Sequence, residues 1–320
     1  MPDHGSEVVD VVAGVITDAR GRILLARRTE GRDLAGLWEF PGGKREQDET
    51  AEAALTRELH EELGIDVDIG APLLVVPQQY PHKRLRLDVR HIDAWRGTPR
   101  GHEGQALAWV PPHKLVSYAM PPADRPVVAA LLQSDRYLVT PEPAAADDAG
   151  WLDGLQRALE SGIRRVQVRL HGLDANRQRA LASAAARCCA SAGAEMLLNG
   201  EIAMARELGV GLHLRAAQLA GIQERPVAND VHLAASCHDV TELRMAEALG
   251  CDFAVVGPLL PTASHPGAPG IGWTQFEHLR EHASLPIYAI GGLGPDNIAT
   301  ARQHGAQGIA AIRKLWPRPL

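Results

Sequence analysis

The stretch GGKREQDETAEAALTRELHEELGI (residues 42–65) sets four glutamates, Glu52, Glu58, Glu61 and Glu62, into a predicted helix, with a fifth, Glu49, at its start. Ala51, Leu55, Leu59 and Leu63 recur at helical spacing and give the segment one apolar stripe. Asp48 or Thr50 suits the cap before the first turn, and Gly64 suits the left-handed position after the last. Residues three and four apart share a helical face, so Glu58, Glu61 and Glu62 converge opposite the stripe. Like charges at that spacing repel by about 0.2–0.5 kcal/mol per pair, and Arg57 is the only Lys or Arg between Glu49 and Ile65. A hard divalent cation, Mg²⁺ or Mn²⁺, converts such repulsion into attraction and takes oxygen ligands by preference. The competing reading is a charged, solvated outer face.

Around this helix the chain alternates apolar runs and turns. EVVDVVAGVITD reads as a strand, ARGR as a turn and ILLARR as its return; PLLVVPQQY, KRLRLDVRHIDAWRG and ALAWVPP supply further strands, and PADRPVVAALLQ a closing helix. Beyond Gln133 the rhythm changes. Eight short apolar strands, at 137–140, 166–170, 195–199, 211–214, 231–237, 253–257, 286–292 and 308–312, alternate with helical stretches, which predicts parallel βα units closed into a small (β/α)8 barrel. RAAQLAGIQERP leaves little room for the fourth helix, and PEPAAADDAG reads as the loop after the first barrel strand. An α/β chain of two domains follows, residues 1–133 and 136–320, joined only through Ser134 to Arg136.

Composition bounds the partners. At 320 residues, 45% hydrophobic and 22% charged, the sequence is ordinary for a water-soluble protein. No apolar run approaches the roughly 20 residues of a membrane span, and the acidic, polar start MPDHGSEVVD is unlike a signal peptide. Four cysteines show neither metal-ligand spacing nor a disulfide framework, so the expected setting is a reducing cytoplasm. The net charge of −6 divides into −5 for residues 1–135 and −1 for residues 136–320. Neither half resembles a polyanion-binding surface, which argues against bulk nucleic acid but leaves a single nucleotide open.

The order Gly43, Glu49, Arg57-Glu58-Leu59, Glu61-Glu62, Gly64-Ile65 resembles the full Nudix box with no departure. The resemblance implies an α/β/α sandwich that holds Mg²⁺ against a diphosphate while water attacks phosphorus. It gives Glu58 and Glu62 as chief metal ligands, Glu61 as ligand or base, and the Gly42 carbonyl as a backbone ligand; the residues alone do not choose which carboxylate takes the proton. LLARR, LWEFPGGK, GHEGQALAWV and PPADRPVV are similar to segments of MutT-type members, which cleave oxidised nucleoside triphosphates to a monophosphate and pyrophosphate. That likeness implies a phosphate-facing Arg28, a base pocket at Glu39 and Phe40, Lys44 beside the phosphates and a late metal ligand at Glu103. Asp124 stands where those members carry an asparagine. An ionised Asp only accepts hydrogen bonds, so the base preference implied by the family is altered.

RYLVT, VQVRL, SCH, VVGPLLPTASH, LPIYAIGGL and GAQGIAAI, in that order, resemble thiamine phosphate synthase and its TenI relatives. Synthases hold Mg²⁺ on a pyrimidine diphosphate with carboxylates that this sequence lacks: the usual Asn-Asp is Asn199-Gly200, and the next acidic position falls in HLRAAQL. The lysines of the pattern are replaced by His171 and by His265 or Pro266. The resemblance implies a phosphate site at Gly291 and Gly292 near Arg313, pyrimidine or thiazole contacts at Gln167 and Arg169, and, through Ser236-Cys237-His238, a TenI-type proton shuttle at His238. Turn-forming glycines and a structural histidine are the plainer alternatives.

Three readings follow. In the first, a Mg²⁺-dependent hydrolase of nucleoside triphosphates such as 8-oxo-dGTP carries a TenI-like barrel that binds a thiazole or pyrimidine phosphate, with or without tautomerase activity. In the second, both halves serve thiamine metabolism: the first domain hydrolyses thiamine or pyrimidine diphosphates, and the barrel supplies or senses them. In the third, the barrel supports the hydrolase or joins copies of the chain as a homo-oligomer.

Overall fold

A computed structural model describes residues 8–31, 33–145, 147–261 and 269–317; His265 and Pro266 lie outside the described residues. The chain divides into two compact units, Met1–Gln133 with Arg302–Gly305, and Ser134–Ala301 with Ala306–Leu320.

In the first unit, β1 (Val8–Ile16), β4 (Gly42–Lys44), β5 (Asp66–Tyr80) and β6 (Lys83–Arg96) form a mixed sheet in the order β4-β1-β6-β5. A second sheet places β2 (Ile23–Arg27) between β3 (Trp38–Glu39) and β7 (Leu107–Val110). The period of two along β1 decides which helix each side chain meets. Val12 and Ile16 pack with Ala54, Leu55, Leu59 and Leu63 of α1 (Ala51–Leu63), whereas Ala13 and Val15 pack with Val127 and Val128 of α2 (Arg125–Leu132). The sheet is therefore covered on both faces. Helix α1 starts and stops as its sequence requires: the Thr50 hydroxyl accepts from the Ala53 N–H at 3.1 Å, and Gly64 adopts φ 66°. Thr50, not Asp48, is the cap.

The second unit is a closed ring of eight parallel strands: β8 (Arg136–Val139), β9 (Arg165–Val168), β10 (Glu195–Asn199), β11 (Gly211–Leu214), β12 (Leu233–Cys237), β13 (Phe253–Val256), β14 (Ile287–Ile290) and β15 (Gly308–Ala311). Strand β8 already begins at Arg136. Outside the ring run α3 (Asp148–Glu160), α4 (Ala175–Ser191), α5 (Ile202–Leu208), α6 (Ala216–Leu219), α7 (Val240–Ala248), α8 (Gly272–Arg280) and α9 (Ile298–Gln303). The fourth helix has only four residues, as its short segment predicts. Alternation again sorts the core: Tyr137, Leu197, Phe253, Val255 and Tyr288 fill the ring, while Leu138, Val166 and Leu198 face the helices.

A charged network closes the ring where the strands start. Arg165, 1% exposed, pairs with Glu195 at 2.6 Å and lies 4.4 Å above the Phe253 ring. His232 pairs with Glu195 at 3.0 Å and with Asp252 at 3.6 Å. Hydrogen bonding to Asp252 and Glu195 pushes His232 up to about 9. Burial favours the neutral acids, but His232 and Arg165 outweigh it at Glu195, and His232, the Leu233 N–H and Arg225 outweigh it at Asp252; both fall to about 2. Among the described residues no helix is long and apolar enough to cross a membrane.

Candidate functional site

The acidic helix α1 and the tip of β4 meet at two glycines. Gly42 has φ 154° and lies so close to β1 that a Cβ would sit 2.1 Å from the Val12 carbonyl oxygen. A Cβ on Gly43 would lie 2.1 Å from Glu58 Oε2, so the missing side chain is the space that the Glu58 carboxylate fills. Arg57 threads among the acids, with hydrogen bonds to Glu49 at 3.0 and 3.1 Å, to Glu58 at 2.9 Å and to Glu61 at 3.4 Å. Its guanidinium is held still more firmly protonated, first by Glu49 and then by Glu58. Glu62 is 8% exposed and the Glu61 side chain 60%. Glu103 is on an exposed loop tied to the end of α1: the His102 N–H and Gln105 Nε2 both donate to the Glu62 carbonyl, at 3.0 and 3.2 Å, and Gln105 Oε1 accepts from the Glu103 N–H at 2.9 Å.

With Arg57 inserted, no group of three His, Cys, Asp or Glu among the described residues is gathered as a metal cage. The donor set still fits a hard cation. Carboxylates on one helical face, against a glycine cradle cut to Glu58, are what a partly hydrated Mg²⁺ takes.

Next to this face is a cavity of about 290 Å³ that brings together Arg28, Glu39, Phe40, Gly42 and Asp124. The structure adds Tyr80 and Lys83 to it. Arg28 pairs with Glu39 and donates from Nε to the Asp33 carbonyl at 2.7 Å, so its guanidinium is engaged inside the pocket. Lys83 pairs with Asp33 at 2.8 Å. Lys44 is exposed at the end of β4 and does not line the cavity; its carbonyl accepts from Arg57 at 3.1 Å.

Asp124 departs from its sequence expectation. It is 6% exposed and accepts from the Phe40 N–H at 3.2 Å. Burial, reinforced by the charge of Glu39, raises its carboxyl to about 8, against smaller opposing pulls from the Phe40 N–H and Arg28. At neutral pH Asp124 is therefore an acid with one O–H donor and one acceptor, not an ionised acceptor, and it presents the pattern of an amide.

The second unit holds a larger cavity, about 640 Å³, at the C-terminal ends of its strands. Gln167, Arg169, Ser236, His238, Gly291 and Gly292 all line it, and the structure adds Arg215 and Lys314. Gly291 packs so tightly on Pro258 and Leu259 that a Cβ would come within 2.7 Å of either backbone. His238 Nδ1 is 3.3 Å from the Gly257 carbonyl, and the His238 backbone N–H donates to Glu242 at 2.6 Å. With Nδ1–H donating to that carbonyl, Nε2 is the ring nitrogen left for a ligand.

Beneath the cavity runs a chain of hydrogen bonds that sequence reasoning missed. Asn199 Nδ2 donates to Gln167 Oε1 at 3.1 Å, and Gln167 Nε2 to the Tyr137 hydroxyl oxygen at 3.4 Å. Tyr137 then donates to His213 Nδ1 at 3.1 Å, and His213 Nε2–H to Ser236 Oγ at 2.9 Å. The other end starts at His171 Nε2, 2.9 Å from Asn199 Oδ1. Amide orientation sets this direction. Burial, with a smaller push from Arg169, lowers His213 to about 3 and keeps it neutral. Ser236 is thereby left to donate its own hydrogen into the cavity.

Comparison with known proteins places both units. Residues 12–130 match the NUDIX domain family and residues 136–315 the thiamine monophosphate synthase family. The CTP pyrophosphohydrolase of Escherichia coli (strain K12) is 40% identical over 126 residues, covering 39% of this chain and 93% of the relative. The 8-oxo-dGTP diphosphatase of Haemophilus influenzae is 42% identical over 134 residues, covering 42% of this chain and 98% of the relative. The thiamine-phosphate synthase of Thioalkalivibrio sulfidiphilus is 30% identical over 193 residues, covering 57% of this chain and 88% of the relative. The chain thus belongs to the Nudix family through its first unit and to the thiamine monophosphate synthase family through its second.

Proposed function

We propose that the first unit is a Mg²⁺-dependent pyrophosphohydrolase of nucleoside triphosphates, with products monophosphate and pyrophosphate. The observation that carries this reading is the Glu58 carboxylate seated on Gly43 beside the cavity of Arg28, Glu39, Phe40 and Asp124. Glu58 and Glu62, with the Gly42 carbonyl and Glu103, would hold the cation, and Arg57 would turn from neutralising Glu58 to orienting it. Bound there, Mg²⁺ (or Mn²⁺) supplies charge neutralisation of the polyphosphate and Lewis-acid polarisation of a phosphoryl oxygen. Water's oxygen bonds to phosphorus on one side of the α–β bridge, the bridging oxygen leaves with the other side, and Glu58, Glu61 and Glu62 are the carboxylates within the site for the displaced proton. Lys44, exposed at the end of β4, would meet the outer phosphates.

The base enters the cavity. Protonated Asp124 donates and accepts, and Glu39, tied to Arg28, adds an acceptor; oxidised guanine and cytosine both offer adjacent donors and acceptors to such a pair. The relatives with named activities on 8-oxo-dGTP and CTP agree with this pocket. In the barrel, the cavity suits a thiazole or pyrimidine phosphate, with the phosphate at Gly291, Gly292 and Arg313, the ring against Gln167 and Arg169, and His238 Nε2 as proton shuttle.

The test is a panel of specificity constants with Mg²⁺ for 8-oxo-dGTP, dGTP, CTP and thiamine diphosphate. Preference for 8-oxo-dGTP or CTP by at least about 10-fold over dGTP is expected from one well-made base contact. Preference for thiamine diphosphate would replace this reading with one in which both units serve thiamine compounds.

A further inference from the structure

The barrel cavity has a charge pattern that its phosphate rim alone does not explain. Arg169, Arg215, Arg313 and Lys314 line it, His171 and His238 add imidazoles, and none of its described lining residues is Asp or Glu. Arg215 directly follows β11 and Arg313 lies two residues beyond β15. In the ring these strands are four places apart, so the two arginines stand on opposite rims. Between them the wall is uncharged, with Val139, Val255, Ile290 and Ala310 beside Gln167, Asn199 and Ser236.

Arg215 is braced, unlike a surface arginine that wanders in solvent. Gln218 Oε1 accepts from the Arg215 backbone N–H at 3.0 Å and from its Nε at 3.4 Å, while Gln218 Nε2 donates to the Gly200 carbonyl at 3.0 Å. Gly200, with φ 76°, lies under the guanidinium: a Cβ there would meet Arg215 Nε at 2.8 Å. The end of β10 is thus cleared of a side chain and filled by a cation that donates to Gln218 from its backbone N–H and Nε rather than from its Nη groups.

We propose that the barrel cavity binds one small organic molecule with an anionic group at each end and an uncharged middle, and that Arg215 holds the second anion directly, without a metal ion. Glu142, outside the described lining, pairs with Arg169 at 3.6 Å and with His171 at 3.3 Å. The lining itself, with Arg215, Arg313 and Lys314 and no carboxylate, disfavours a divalent metal as it favours a phosphate, and a guanidinium offers a two-pronged contact to phosphate or carboxylate. The inference rests on the reading of the opposite rim, Gly291, Gly292 and Arg313, as a phosphate site.

Calorimetry of the full chain in EDTA, with straight-chain alkane bisphosphates from propane to decane and the matching monophosphates as probes, separates the two claims. The monophosphates report the Arg313 rim and the bisphosphates both rims. At least one bisphosphate should bind about 10- to 100-fold more tightly than its monophosphate, the range for a charge-assisted hydrogen-bonded contact. Arg215→Ala and Arg215→Gln should erase that advantage and leave monophosphate binding intact, and Arg313→Ala should weaken both probes. Arg28→Ala, in the first unit, should change neither. The proposal is overturned by bisphosphates that bind no better than monophosphates, by an advantage that survives both Arg215 variants, or by binding that appears only with Mg²⁺. Monophosphates that bind equally well to Arg313→Ala would instead overturn the phosphate rim on which it rests.

Discussion

The two units meet phosphate chemistry with opposite charge. On α1, Glu58, Glu61 and Glu62 crowd one face, where Arg57 hydrogen-bonds to Glu58 and Glu61; at the barrel mouth Arg169, Arg215, Arg313 and Lys314 line a cavity with no acid among its described lining residues. Acids that must meet a polyanion need a cation between, and that cation can also activate water. Cations that meet an anion directly need nothing between them, and they bring no activated water to attack it. On the proposed reading, the difference assigns hydrolysis to the acidic site and recognition, with proton transfer at His238, to the basic one.

The largest effect that tests this contrast is removal of metal. EDTA should abolish triphosphate hydrolysis while barrel ligands still bind. Gly43→Ala comes next, because its Cβ would overlap the Glu58 carboxylate; a drop in kcat of about 10²-fold is expected from displacement of that group, with the melting profile checked to show that the fold persists. Unchanged turnover would detach Glu58 from the chemistry.

Asp124 sharpens the comparison at the base. Asp124→Asn keeps one donor and one acceptor and should keep base preference near pH 7, whereas Asp124→Ala should lose about 10- to 100-fold of discrimination. The wild type should lose preference as pH rises through about 8, where Asp124 ionises, and Asp124→Asn should not. The sign for stability follows. The unfolded carboxyl ionises near 3.8 and the folded one near 8, so the folded state binds the extra proton and stability of this unit falls between those values. Melting of Asp124→Asn across that range should show the slope removed.

The smallest effect is at the floor of the barrel. His232, raised to about 9 from 6.5, contributes stability that is complete below pH 6.5 and lost as pH rises through 9. Glu195 and Asp252, lowered to about 2, contribute above about 4.5 and 3.8 and fail as pH falls toward 2. His232→Ala should cost roughly 1 kcal/mol at these partly exposed pairs, a Tm shift of about 2–4 °C for a unit of this size, and flatten the alkaline decline.

Much of this was legible in the residues, and the rest for a physical reason was not. Thr50, Gly64 and the stripe of Leu55, Leu59 and Leu63 act within a few residues, so α1 and its acidic face can be read directly. Eight apolar runs alternating with helical stretches likewise point to the ring. Asp124 could not be read, because its protonation depends on burial and on Phe40, 84 positions away in the chain. HLRAAQL showed only that acids were missing; that Arg215 lies over Gly200 emerges when β10 and β11 pair. The Tyr137–His213–Ser236 chain needs three strands brought together, and no local pattern announces it.

The measurement closest to the central claim is hydrolysis of 8-oxo-dGTP and CTP with Mg²⁺ by the wild type and by Glu58→Gln, with products followed by phosphorus NMR. The account predicts monophosphate and pyrophosphate from the wild type and a fall in kcat of about 10³-fold in the variant, the several kcal/mol that a correctly held metal supplies. Equal turnover by the two proteins would contradict it.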